Sequence, residues 1–139
     1  MTEAPLAVPT SGRASLARPS VCAATPERWN IVGSLEDGLD LIRRREFFAA
    51  HEELELAWRA AEPDEKDFFQ GLVHVAVAWY QAGRGNRVGC SRQLEKAARR
   101  LARFAPEHGG VDVAEVLVQI RGAAEIVAAG SLQLPPPRV

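Results

Sequence analysis

The sequence predicts an all-α protein, a compact bundle of about five helices. Three observations lead there. Apolar residues recur at steps of three and four over long stretches, as in Cys90, Leu94, Ala97, Leu101 and Phe104. No alternation of strand period competes with them over any length. The links between the periodic segments are short and carry Pro or Gly, which favours antiparallel neighbours.

The first helix is expected from about Leu35 to Arg44, with Ser34 as N-cap and Glu36 and Asp37 in its first turn. Leu35, Leu39 and Ile42 are its buried positions. The second runs from about Arg45 to Ala61, where Pro63 ends the pattern. At about 100° per residue, Phe47, His51, Leu54 and Trp58 share one narrow face, with Glu55 at its edge and Glu52 further round. The third follows Asp64, a candidate N-cap, and reaches about Ala82. It is apolar over most of its circumference, as a central helix is. Its one remaining stripe is Gln70, His74, Val77 and Gln81.

The fourth helix spans about Arg87 to Ala105. The fifth runs from Asp112, as N-cap, to near Gly130, with Val113, Val116, Leu117, Ile120, Ala124 and Val127 facing inward. Residues 1–27 are Pro/Ala-rich without apolar period and read as a disordered tail. The helical domain is expected over 28–130. Residues 131–139 hold Pro135, Pro136 and Pro137 and form an extended Pro-rich tail that Leu132 and Leu134 can dock.

Composition bounds the partners. The chain has 139 residues and a net charge of −1, so the whole molecule advertises neither nucleic acid nor an anionic membrane. No apolar run is long enough to span a bilayer, and no secretory leader pattern opens the chain. A cytoplasmic protein is expected. Cys22 and Cys90 lie far apart and outside any zinc spacing, so both are expected as free thiols.

His51 in the middle of an apolar stripe requires a partner or a purpose. His51 and Glu55 stand at i,i+4, so their heads can meet one site, which makes them the candidate ligands of a divalent metal. The motif His51-Glu52-x-x-Glu55 reverses the usual order of bundle di-metal sites and occurs once. His74 and Gln70 are the candidate additions from the third helix. The structural alternative is a buried network in which Glu55 and Gln70 hold the His51 ring and fix helix register. A second constellation is basic: Arg92, Lys96, Arg99 and Arg103 form a stripe opposite Leu94 and Leu101. Such a stripe suits phosphate or RNA, but no aromatic interleaves it, and a solvated cationic face is commoner.

The loop Gly83-Arg84-Gly85-Asn86-Arg87-Val88-Gly89 resembles an anion-binding turn in outline only. It lacks the strand and the terminal Lys-Ser/Thr of a P-loop, and a turn capped by Asn86 explains it. Cys90 on an apolar stripe behaves as a small hydrophobe, and Ser91 lacks a nucleophile's context. His108, in a Pro/Gly loop, is expected exposed. Trp29, Trp58 and Trp79 are expected as packing anchors.

Three segments in order carry a resemblance: Phe47-Phe48-Ala49-Ala50-His51-Glu52-x-Leu54-Glu55-x-x-Trp58-Arg59, then Phe69-Gln70-Gly71-Leu72-Val73, then Gly85-Asn86-x-x-Gly89. Over about residues 35–105 the chain resembles the small bacterial and archaeal proteins grouped as domain of unknown function 309. The resemblance implies an all-α domain, a homodimer and no assigned activity. It singles out His51, Glu52, Glu55, Trp58, Gln70, Gly71, Asn86 and Gly89, whereas His74 and Cys90 stand where the family pattern has Gln and Ala. Three functions stay open. One is a pocket of His51, Glu52, Glu55, Trp58, Gln70, His74 and Asn86 that binds a metal or small ligand, with hydrolysis as its sharper form. Another is an RNA- or protein-binding fourth helix, and the third is a dimerisation domain without ligand.

Overall fold

A computed structural model of the chain describes the backbone from Pro26 and the side chains from Leu35 onward. The expected N-terminal tail, the Cys22 thiol and the Trp29 anchor lie outside the described residues. Five α-helices follow in order: α1 Pro26–Arg43, α2 Phe47–Ala60, α3 Lys66–Gly83, α4 Arg87–Leu101 and α5 Val113–Ala128. The all-α expectation holds. None of the described helices is long and apolar enough to cross a membrane.

Several boundaries differ from the sequence reading. Helix α1 begins at Pro26, so position 34 is interior rather than a cap. A proline at the first helical position costs nothing, because that amide has no intrahelical acceptor. Asp64 does not cap α3. It sits in a short 3-10 turn, Pro63–Glu65, and α3 starts without a side-chain cap. Between α4 and α5 lies a hairpin of two-residue strands, β1 (Glu107–His108) and β2 (Val111–Asp112), too short to show in any periodicity. The expected caps Asn86 and Asp112 are made: each side chain accepts from the amide three residues on, Gly89 and Glu115.

Helix α3 lies between α2 and α4, and α4 packs on α5. Phe68, Phe69, Leu72, Val75, Ala76 and Trp79 are buried on α3, and Leu54, Leu94, Leu101, Val113, Val116 and Ile120 face them from the other helices. A Cβ at Gly71 would lie 2.6 Å from Leu101 Cγ, so this glycine sets the close approach of α3 and α4. Gly38 does the same between α1 and α2, against Leu54 Cδ2 at 2.6 Å.

Three helices end in one turn, in which the amide three residues past the last helical residue reaches back five positions. Glu46 donates to Leu41, Asn86 to Gln81 and Ser131 to Ile126. The residue before each donor has positive φ: Gly85 at 77°, Gly130 at 100°, but Arg45 at 65°. Only at α1 does a residue with a Cβ bear this conformation.

Residues 131–139 are extended and strapped across the bundle. Trp79 Nε1 donates to the Pro135 carbonyl at 2.9 Å. The Arg138 amide donates to Gln119 Oε1 at 2.7 Å, its guanidinium meets Glu115 at 2.6 Å, and Arg43 donates to the Val139 carbonyl at 3.1 Å. Leu132, Leu134 and Val139 pack on the core.

Two stability measurements check these points. Gly71→Ala is expected to cost about 1–3 kcal/mol in urea unfolding, because Leu101 must yield to the new methyl group. Arg45→Gly is expected to gain roughly 0.5–1 kcal/mol, the left-handed strain relieved less the entropy that glycine adds to the unfolded chain. A loss instead would show that the Arg45 side chain contributes more than its backbone costs.

Candidate functional site

The uncovered stripe of α3 forms the floor of a cleft. Gln70, His74 and Val77 line a cavity of about 320 Å³ together with Val73, with His51, Glu55 and Trp58 from α2, and with Gln93 from α4. His51, Phe48, Val77, Tyr80 and Gln81 continue it into a second hollow of about 210 Å³. Helical spacing explains the set. His51, Glu55 and Trp58 recur at steps of four and three, as do Gln70, His74 and Val77, so each helix presents one row to the gap between them.

The structure brings together five of the seven expected pocket residues and leaves out two. Asn86 caps α4 and donates from Nδ2 to Gln81 Oε1 at 3.1 Å. Gly89 makes room for it, since a Cβ there would lie 2.6 Å from Asn86 Nδ2. Both motif residues therefore serve a helix start rather than a pocket. Glu52 is exposed and does not line the cleft. Gln93 was missed from sequence. It lies beside the Cys90/Leu94/Ala97 stripe, and a glutamine among arginines and lysine reads as a solvated residue.

The expected network around His51 is not made. His51 Nε2 stands 3.9 Å from Glu55 Oε1, beyond hydrogen-bond reach. Glu55 is shared with Arg59, at 3.8 Å. His51 Nδ1 is buried and has no hydrogen-bond partner. Phe48 lies against the imidazole, ring centres 5.7 Å apart. A buried N–H without an acceptor is disfavoured, so in the neutral ring the proton belongs on Nε2, toward Glu55 and the cleft.

His74 is different. Its Nδ1 is 2.6 Å from Gln93 Oε1. Burial lowers its pKa from the ordinary 6.5; the bond to Gln93 opposes this, and the charges of Lys96, Arg100 and Arg99 add to the lowering. A neutral His74 that donates from Nδ1 keeps a free lone pair on Nε2. At the α2 end, Lys66 donates to the carbonyls of Trp58 at 2.8 Å and Arg59 at 3.3 Å, with its ammonium 5.1 Å from the Trp58 ring centre. The side chain thus closes the end of α2 and braces the cleft wall.

Among the described residues no three His, Cys, Asp or Glu side chains converge where a metal could sit. His51 and Glu55 alone are an incomplete ligand set. The basic stripe is partly spent on the fold. Arg103 lies 3.7 Å from Asp67 and donates to the Asp64 carbonyl at 3.2 Å; Arg99 lies 3.8 Å from Glu95. Arg100 holds Asp67 at 2.8 Å. Arg92 and Lys96 have no ion pair among the described residues. Cys90 is buried, and burial raises its thiol pKa, which makes it a poor nucleophile. His108, expected exposed, is half-buried instead: its Nε2 meets Glu65 at 2.7 Å, and Phe68 and Phe104 flank its ring at 4.6 and 4.7 Å.

The resemblance itself is borne out over part of the chain. Residues 35–93 match the family model described as domain of unknown function (DUF309). All eight side chains that line the cleft fall inside that segment. No curated protein is similar enough to count as a relative.

The state of His74 gives a pH test. Its folded pKa lies below the unfolded value, so the unfolded chain binds the proton more readily. The contribution of the neutral ring is complete above 6.5 and is lost as pH falls through the lower folded value. Urea stability is expected to drop from pH 7 toward pH 5, and His74→Gln is expected to flatten that slope. An unchanged slope would place the proton uptake elsewhere.

Proposed function

We propose that the cleft between α2, α3 and α4 binds a small ligand through hydrogen bonds from His51, Gln70, His74 and Gln93. The carrying observation is His51. It stands on a core-facing row, yet among the described residues no group accepts from or donates to its ring. A register pin requires satisfied partners, because a half-made buried network is worse than an apolar core. Here the ring reaches the cleft with its second nitrogen unengaged by any close partner.

The lining also has the composition of a binding site. Apolar surface from Trp58, Val73 and Val77 surrounds a few polar heads of fixed direction. The space suits one planar ring carrying a hydrogen-bonding group. Divalent metal chemistry has less support, since His51 and Glu55 stand 3.9 Å apart and among the described residues no third ligand joins them. RNA binding along α4 has less support because Arg99 and Arg103 already hold acidic or carbonyl oxygens.

Histidine-selective NMR of the full chain, titrated with benzamide and benzoate, tests the proposal. Saturable shifts of the His51 and His74 resonances are expected, and the His74 shift is expected to be lost in His51→Gln. That variant is expected to change stability by less than about 1 kcal/mol, because it removes no protein hydrogen bond. Resonances that neither probe moves, together with a loss above about 2 kcal/mol, would make His51 a structural residue.

A further inference from the structure

We infer that the ligand of this cleft is a small organic anion, its charged head at the α4 edge beside Lys96 and its uncharged body on Trp58, Val73 and Val77. The inference rests on the cleft being a binding site and names what that site selects.

Gln93 is the cleft residue of α4. Lys96 and Arg100 follow it at i+3 and i+7, so both stand on the same side of the helix, along the cleft edge. Arg100 is held by Asp67 at 2.8 Å, and Arg99 lies 3.8 Å from Glu95. Lys96 has neither an ion pair nor a hydrogen bond among the described residues. Its ammonium is the charge at this edge that the described residues leave unanswered. These cations are close enough to the cleft for His74 to feel all three.

The opposite wall does not cancel them. It carries one carboxylate, Glu55, which Arg59 answers from 3.8 Å. Lys66 adds a further ammonium at the Trp58 ring. The chain as a whole is at −1, so this is a local excess of positive charge beside a partly enclosed space, which concentrates anions.

The hydrogen-bonding groups agree. Gln93 uses its oxygen on His74 and keeps both amide N–H donors free. His51 offers an Nε2–H, because its Nδ1 is shut away. Lys96 offers three donors. An oxyanion, which only accepts, complements these donors at the α4 edge, while the His74 Nε2 lone pair and the Glu55 carboxylate, which also line the cleft, bar its charged head from the rest of the lining. A bare inorganic anion would leave the apolar floor uncovered, so the head must carry a body of about one ring. Carboxylates and phosphate monoesters share this chemistry.

Four probes of one shape decide it: benzoate, phenyl phosphate, benzamide and benzylammonium, each titrated against the histidine resonances of the full chain. Benzoate or phenyl phosphate is expected to saturate the His51 and His74 shifts at least tenfold below benzamide, with benzylammonium weakest. Whichever of the two anions is tighter identifies the head as carboxylate or phosphate. Lys96→Gln, an exposed change, is expected to remove the advantage of the anions while benzamide still shifts His51. Benzamide binding as tightly as the anions, or anion affinity unchanged in Lys96→Gln, would overturn the anion and leave the cleft standing. No shift from any of the four would overturn the cleft itself.

Discussion

Helix α3 has to be covered on nearly every side, and the rest of the fold follows from how that is done. Phe68, Leu72, Val75 and Trp79 need apolar neighbours, and Phe69 and Ala76 need them on an adjoining face. Helix α2 takes one flank and α4 the other, the latter drawn close by the missing side chain of Gly71. Only the row of Gln70, His74, Val77 and Gln81 is polar enough to be left toward solvent. The walls on either side then turn an uncovered strip into a recess. The site is a by-product of packing one very apolar helix, and its position could not have been elsewhere.

Within the recess the two histidines are held in different ways. His74 is fixed by a short bond to Gln93 and kept neutral by burial, with cations nearby that would resist a further positive charge. His51 is fixed by shape alone, with Phe48 against its ring. One imidazole is thereby an oriented acceptor and the other an oriented donor. Such a pair presents one lone pair and one proton to the recess in fixed directions.

Much of this was legible in the sequence, and the failures have physical causes. The polar stripe of α3 and the His51 row of α2 stand out because helical period places them on one face each. The Asn86 cap was legible too, as a turn, but grouping Asn86 with the pocket was an error of proximity along the chain: α3 carries the loop away from the cleft. Glu52 was included because it belongs to the motif, yet one residue round a helix is about 100°. Gln93 was invisible because its relevance depends on how close α4 comes, and that distance is set by Gly71, a residue of another helix. The hairpin at Glu107–His108 and Val111–Asp112 was too short to leave a period at all. The His108 contacts depend on it.

The extended strap at residues 131–139 has a mechanical meaning. It is tied at Trp79, Gln119, Glu115 and Arg43, on three helices that are far apart along the chain. None of these ties touches the residues that line the cleft. The strap therefore links α1, α3 and α5 through contacts that are independent of the recess.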